Sequence, residues 1–166
     1  MKQKLFNHSR SLFISIDKDD FIKTFERAQN NIKDKEFDLA LNELELSIEN
    51  FEISSKVNSI ISKEDLYSLT ANISLIVKDL EKAKTYFEEA LKLNPASSDA
   101  CFGLGQVFYQ AEMFEESKTM IEWAVKNNSE NTKALEALKS VNEVLSLPEN
   151  HNSLFEKVVE QVEAGN

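Results

Sequence analysis

The chain of 166 residues carries 19 Lys and Arg against 29 Asp and Glu, with 42% hydrophobic residues, three Gly, two Pro and one Cys. At roughly 100–200 residues per domain this is one domain; a lone cysteine excludes an internal disulfide, and two distant histidines exclude a Cys/His zinc site. A formal net charge of −10 repels phosphate backbones and anionic lipid heads, which sets nucleic acid and membrane surfaces aside as partners.

So few glycines and prolines disfavour a many-turned β-sandwich and suit long helices with short connections, so the expected fold class is all-α. The N-terminal flank, 1–20, places Lys2 and Lys4 before Leu5 and Phe6 in the manner of a secretory leader. Asn7, His8, Ser9 and Arg10 then break the apolar stretch and no small-residue cleavage site follows, so the chain is read as cytoplasmic. Leu12–Ile16 either folds back as an N-terminal cap or serves as a contact in a homodimer. With Ser74–Val77 it is the longest apolar run, far short of the ~20 residues that span a bilayer.

Self-similarity appears at a spacing of 34 residues between segments 64–97 and 98–131. Aligned without a gap, they put Ala71 over Gly105, Leu80 over Phe114, Ala83 over Ser117, Phe87 over Ile121 and Ala90 over Ala124. An earlier copy, 21–54, lies 43 residues upstream of the second, with Ala28, Phe37, Ala40, Leu44 and Ser47 on the same positions. The extra residues are the insertion 55–63, in which Val57, Ile60 and Ile61 are expected to lengthen the preceding helix.

Each copy divides into two helical patterns. Ser62 with Asp65 resembles a capping box at the start of the second copy, Lys78 and Asp79 interrupt it, and Asn94-Pro95 ends it, because a pre-proline residue avoids helical angles. In the third copy the cap is Ser97 or Ser98, the loop falls near Ala111 and Glu112, and the stop lies around Asn127–Ser129. Ala134, Leu138, Val141 and Leu145 mark a further helix, giving a partial unit 132–147 that Leu147-Pro148 closes. Leu154, Phe155, Val158, Val159 and Val162 mark a last helix within a C-terminal cap, 148–166.

The 34-residue period, the small residues at Ala71/Gly105, Ala83/Ser117 and Ala90/Ala124, the large ones at Phe87/Ile121 and the helix-ending Pro95 resemble the tetratricopeptide repeat. Departures are Thr70 and Ser74 where the third copy has Leu104 and Phe108, and Cys101 where an aromatic is common. The resemblance implies a right-handed α-solenoid of stacked helix hairpins whose concave groove, lined by the first helix of each unit, binds a peptide or protein segment without catalysis or cofactor.

Carried over by position, the groove residues are Ser68, Asn72 and Leu75 with Asp65 from the second copy, then Asp99, Phe102, Gln106, Tyr109 and Gln110 from the third. Lys133, with Glu136, Ser140 and Glu143, comes from the partial unit, and Phe25 and Gln29 from the first copy. The best-known grooves of the family this chain resembles hold a C-terminal carboxylate between lysine, asparagine and arginine side chains; that clamp is not present here, because Phe25 and Gln29 occupy its first positions and only Asn72 and Lys133 suggest it further along. Partners offering amides, hydroxyls or basic side chains beside an apolar anchor fit better. The alternatives are a recruitment module of a bacterial glycosyltransferase or methyltransferase, which the stretch from Ala100 to Asn128 followed by LPENHNSL resembles, and a small secretion chaperone.

Phe102, Gln106 and Tyr109 share one helical face and form an aromatic hot spot for a peptide, the other reading being that the two rings pack on the next unit. Asn72 and Gln106, 34 residues apart, align their amides as a ladder. Trp123 is read as covering the edge of the core, in preference to an outer-face contact. Cys101 is read as a small buried apolar residue, and His8 and His151 as surface residues. The pairs Asp19-Asp20, Glu88-Glu89 and Glu115-Glu116 do not converge on a helix, since neighbours point about 100° apart, and are read as solvated faces.

Overall fold

A computed structural model describes residues 20–51 and 60–147. These form seven helices and, among the described residues, no strand. In chain order they are α1 (Asp20–Lys33), α2 (Phe37–Phe51), α3 (Lys63–Ile76), α4 (Leu80–Leu93), α5 (Ser98–Gln110), α6 (Phe114–Asn127) and α7 (Thr132–Ser146). The pairs α1/α2, α3/α4 and α5/α6 pack as hairpins, the second helix of each rests on the first helix of the next, and α7 closes on α6. The segment Leu12–Ile16, the helix expected after Ser153, and both histidines lie outside the described residues.

The three hairpin turns are built alike without glycine. Lys35, Lys78 and Glu112 occupy equivalent positions and all adopt the left-handed conformation, with φ of 62°, 64° and 60°. The next amide in each turn reaches back to a carbonyl five residues earlier: Glu36 N to Asn31 O at 2.8 Å, Asp79 N to Ser74 O at 2.9 Å and Met113 N to Phe108 O at 2.9 Å. This is the Schellman closure, which satisfies carbonyls that a helix end otherwise leaves open. Holding an L-residue there costs about 1–2 kcal/mol, and glycine avoids that cost while losing ~0.5–1 kcal/mol of chain entropy. Lys35→Gly, Lys78→Gly and Glu112→Gly are therefore each expected to raise stability by about 0.5–1 kcal/mol. Urea denaturation of the triple variant checks this, and an unchanged or lowered midpoint would refute it.

The starts of α3, α4 and α5 are fixed by side chains. Ser62 Oγ accepts from Asp65 N at 3.0 Å, as the capping box predicts, Asp79 Oδ1 from Lys82 N at 3.1 Å, and Ser97, not Ser98, caps α5. Small residues bring paired helices together: Ala28, Ala71, Ala83, Ala90 and Ala124 are completely buried, and Ser117 Oγ donates across the hairpin to the Gly105 carbonyl at 2.8 Å. A Cβ on Gly105 would stand 2.6 Å from Ile121 Cγ1, so only hydrogen fits at that crossing.

The core divides along the stack. Leu44 and Leu66 center the first hairpin's cluster, Phe87 and Leu104 the second, Ile121 and Val141 the third. Thr70 and Ser74, polar where larger residues are expected, are completely buried, and each hydroxyl donates to a carbonyl one turn back, Leu66 O at 2.8 Å and Thr70 O at 2.9 Å. That internal bond removes most of the penalty of burying a hydroxyl. Between the first two hairpins Glu45 accepts from Tyr86 Oη at 3.0 Å and pairs with Lys82 Nζ at 2.7 Å. Burial first, then the Glu45 charge, pushes the Tyr86 hydroxyl well above its ordinary pKa.

Two expectations are corrected. Ile60 and Ile61 do not extend a helix; they lie just before the Ser62 cap, Ile60 exposed and Ile61 packed on the first cluster, because Ser62 starts α3 there. Val57 lies outside the described residues. Trp123 does not cover the core edge: it stands 47% exposed on the outer face of α6, with Lys126 Nζ 5.0 Å from its ring centroid. It follows Glu122 on the side of α6 away from buried Ile121 and Ala124, so the helix turn carries it outward.

Candidate functional site

The first helices of successive units, α3, α5 and α7, present one side chain each at every repeat position, so residues 34 apart stand in rows. Asn72, Gln106 and Ser140 form one row, Asp99 and Lys133 a second, Phe102 and Glu136 a third. All seven border a single concave hollow of about 680 Å³. Gln106 also borders two adjoining hollows. One, of about 280 Å³, carries Tyr109 and Gln110 against Ile121 and Val141. The other, of about 260 Å³, carries Leu75, Ile76 and Gln110 beside Asn72.

Asn131 sets the edge of the main hollow. Its Oδ1 accepts from Ala134 N at 3.1 Å and starts α7, while its Nδ2 donates to Ser98 Oγ at 3.1 Å. Ser98 Oγ in turn donates to the Ala124 carbonyl at 2.8 Å, so the first turns of α5 and α7, which carry Asp99 and Lys133, are tied through the end of α6. Residue-pattern reasoning missed Asn131, although an Asn directly before a predicted helix is the signal of a cap.

The hydrogen-bond inventory decides what the hollow offers. Asn131 is committed on both amide atoms, and Asn72 Nδ2 is committed to the Ser68 carbonyl at 2.8 Å. The side chains of Asp99, Gln106, Lys133 and Glu136 have no hydrogen-bond or ion-pair partner among the described residues. The Phe102 ring is half-buried, resting on the third core cluster while one part faces the hollow. Nothing here suits nucleophilic chemistry. Cys101, behind Phe102, is buried, and burial pushes its thiol up despite the hydrogen bond from Asn127 Nδ2, the opposite of an activated thiolate.

The structure thus brings Asn72, Asp99, Phe102, Gln106 and Lys133 together and sets Leu75, Tyr109 and Gln110 on the adjoining walls. Tyr109 also meets the Phe114 ring edge-on, 5.4 Å between centroids, and keeps 38% of its surface exposed. Ser68 is half-buried and its enclosed hydroxyl has no hydrogen-bond partner. Asp65 bonds Ser62 in the capping box, and Glu143 is exposed near Lys139 Nζ at 3.9 Å.

The expectation for Phe25 is wrong. It is only 5% exposed, stacked on Phe21 at 5.6 Å, and Phe21 meets Phe51 edge-on at 5.8 Å. This ring cluster fills the wall at the first unit and leaves Gln29 exposed beside it, so the open groove belongs to α3, α5 and α7.

Helix hairpins stacked with their first helices along a shared concave wall define an α-solenoid repeat protein. Residues 75–141 match the tetratricopeptide-repeat family. Among solved structures, the first tetratricopeptide domain of Spaghetti (RPAP3) bound to the HSP90 peptide SRMEEVD is similar at 17% identity and a TM-score of 0.67, covering 80% of this chain and 98% of that one. The first such domain of human RPAP3 gives 17% identity and 0.67 over 81% and 98%. MamA gives 14% identity and 0.66, over 93% of this chain and 85% of its own. None of the curated proteins matches the chain. Among the described residues no helix is long and apolar enough to cross a membrane.

Proposed function

We propose that the chain is a non-catalytic protein-interaction module, an adaptor that holds an extended peptide segment along the wall of α3, α5 and α7. The observation that carries this reading is the continuity of that wall: three adjoining hollows share Gln106, and their lining sets the unpartnered Asp99, Gln106, Lys133 and Glu136 side chains beside the half-buried Phe102 ring and the exposed Tyr109. Such a lining holds a strand by its backbone and one anchor side chain, as interfaces built on a few desolvated aromatic contacts do. The similar first domain of Spaghetti (RPAP3) is bound to an HSP90 peptide, which supports a peptide as occupant here. The division into units 21–54, 64–97, 98–131 and a partial 132–147 serves this reading, since it assigns one groove helix to each unit. The acidic surface fits a cytoplasmic setting with protein partners better than contact with nucleic acid or anionic membrane.

Gln106→Arg tests the reading. The longer cationic side chain would project into the point where the hollows meet. Peptides or partners captured by the unaltered chain are expected to bind at least about tenfold more weakly, a change of ~1.4 kcal/mol, with helical content by circular dichroism unchanged. Phe102→Ala, which removes the ring, is expected to act in the same direction. Retention of every partner by folded Gln106→Arg protein would place binding elsewhere.

A further inference from the structure

The atoms left open in the main hollow are mostly acceptors. Asp99 and Glu136 contribute four carboxylate oxygens and Asn72 its Oδ1, against a single fixed cation, Lys133, and the Gln106 amide, which offers both kinds. Asp99 and Glu136 carry no ion pair among the described residues, although other acidic groups of the chain do: Glu43 with Arg27, Glu45 with Lys82 and Glu89 with Lys92. The half-buried Phe102 ring borders the same hollow as the two carboxylates, and the whole chain adds a negative field of net charge −10.

We infer that the occupant of this hollow is a peptide segment presenting an arginine side chain, whose guanidinium lies on the Phe102 ring and donates to Asp99 and Glu136. This rests on the peptide-groove reading above and adds the chemistry of the ligand. A guanidinium fits because it is planar, rich in donors and lacks an acceptor, so it uses carboxylates and an aromatic face together. A lysine ammonium satisfies the charge but stacks less well and cannot bridge two carboxylates in one plane. Lys133, one unit along from Asp99, then opposes the ligand. That is the reverse of its role if the ligand were an acidic segment with a free carboxylate.

The experiment uses the intact chain of 166 residues. Peptides are selected on it from a displayed random library, and the best binders are resynthesised with a fluorophore. Each is also made with arginine replaced by citrulline, which keeps the shape and loses the charge. Arginine-bearing peptides are expected to dominate, with citrulline weakening them about tenfold and Asp99→Asn with Glu136→Gln together by about a hundredfold, roughly tenfold per lost charge-assisted contact. Lys133→Met is expected to tighten binding severalfold, and binding should weaken with added salt. All three changes lie on exposed positions, so circular dichroism should be unaltered. Acidic binders that Lys133→Met weakens, or binders indifferent to citrulline yet lost with Gln106→Arg, would overturn the arginine assignment and leave the groove reading standing. Binders indifferent to Gln106→Arg as well, or no binders at all, would overturn both.

Discussion

Phe87→Ala is expected to lower the folding free energy by about 3–5 kcal/mol, the range for emptying the site of a buried aromatic. The ring is 0% exposed and belongs to the cluster that joins Ala71, Ala83 and Ala90 of its own hairpin to Leu104 and Val107 of α5. It therefore holds one hairpin together and also holds that hairpin to the next. In a stacked-repeat protein, stability is close to a sum of unit and interface contributions, so a residue serving both is costly to remove. Ile121→Ala, at the same position one unit on, is expected to cost about 2–5 kcal/mol, because Ile121 fills the matching site between α5, α6 and α7. Urea denaturation followed by circular dichroism measures both. A loss below about 1 kcal/mol for Phe87→Ala would mean that the ring is not the wedge between these hairpins. The same interface sets the spacing of α3 and α5, so loss of the ring should also weaken any ligand that spans Asn72 and Gln106.

What the sequence disclosed of this arrangement is whatever repeats. The period of 34 residues aligned Phe87 with Ile121 and Ala71 with Gly105, and those are core residues because every unit must bury the same faces. The row of Asn72, Gln106 and Ser140 was legible for the same reason: equal spacing along the chain becomes equal spacing along the wall. What does not repeat was hidden. The turns at Lys35, Lys78 and Glu112 use left-handed residues, but with no glycine to announce them the sequence marked only an interruption. Phe25 holds the position of Ser68 and Phe102, yet it is buried because Phe21 and Phe51, which have no aromatic counterparts in later units, close over it. Asn131 repeats the cap position of Ser97, so its capping role was open to the same reading, but only the folded chain shows that the same amide also reaches Ser98. Trp123 was misplaced because its size suggested burial while its helix position faces outward.

The complementarity between units goes one step further than alignment of like with like, and yields the second large expected effect. Gly103 lies opposite Phe87, and a Cβ there would stand 2.1 Å from Phe87 Cζ and 2.3 Å from Cε1. One unit earlier the same two positions hold Leu44 and Leu69, which pack in one cluster, and one unit later Ile121 and Ala137. The large partner shrinks where the small partner grows, so the volume of each pair is shared in a different proportion. Gly103→Leu alone forces a side chain into the space of a buried ring and is expected to destabilise by about 3 kcal/mol, even though leucine favours a helix over glycine by ~1 kcal/mol. Phe87→Leu alone opens a modest cavity and should cost about 1 kcal/mol. Together they install the Leu44/Leu69 pairing at the next interface, and the double variant is expected to be more stable than Gly103→Leu by itself. The double-mutant cycle should therefore show a coupling of about 1–3 kcal/mol, the size found for residues in direct contact. Additivity within ~0.5 kcal/mol would mean that these two positions do not meet, and the stacking of α5 on the α3/α4 hairpin would have to be drawn differently.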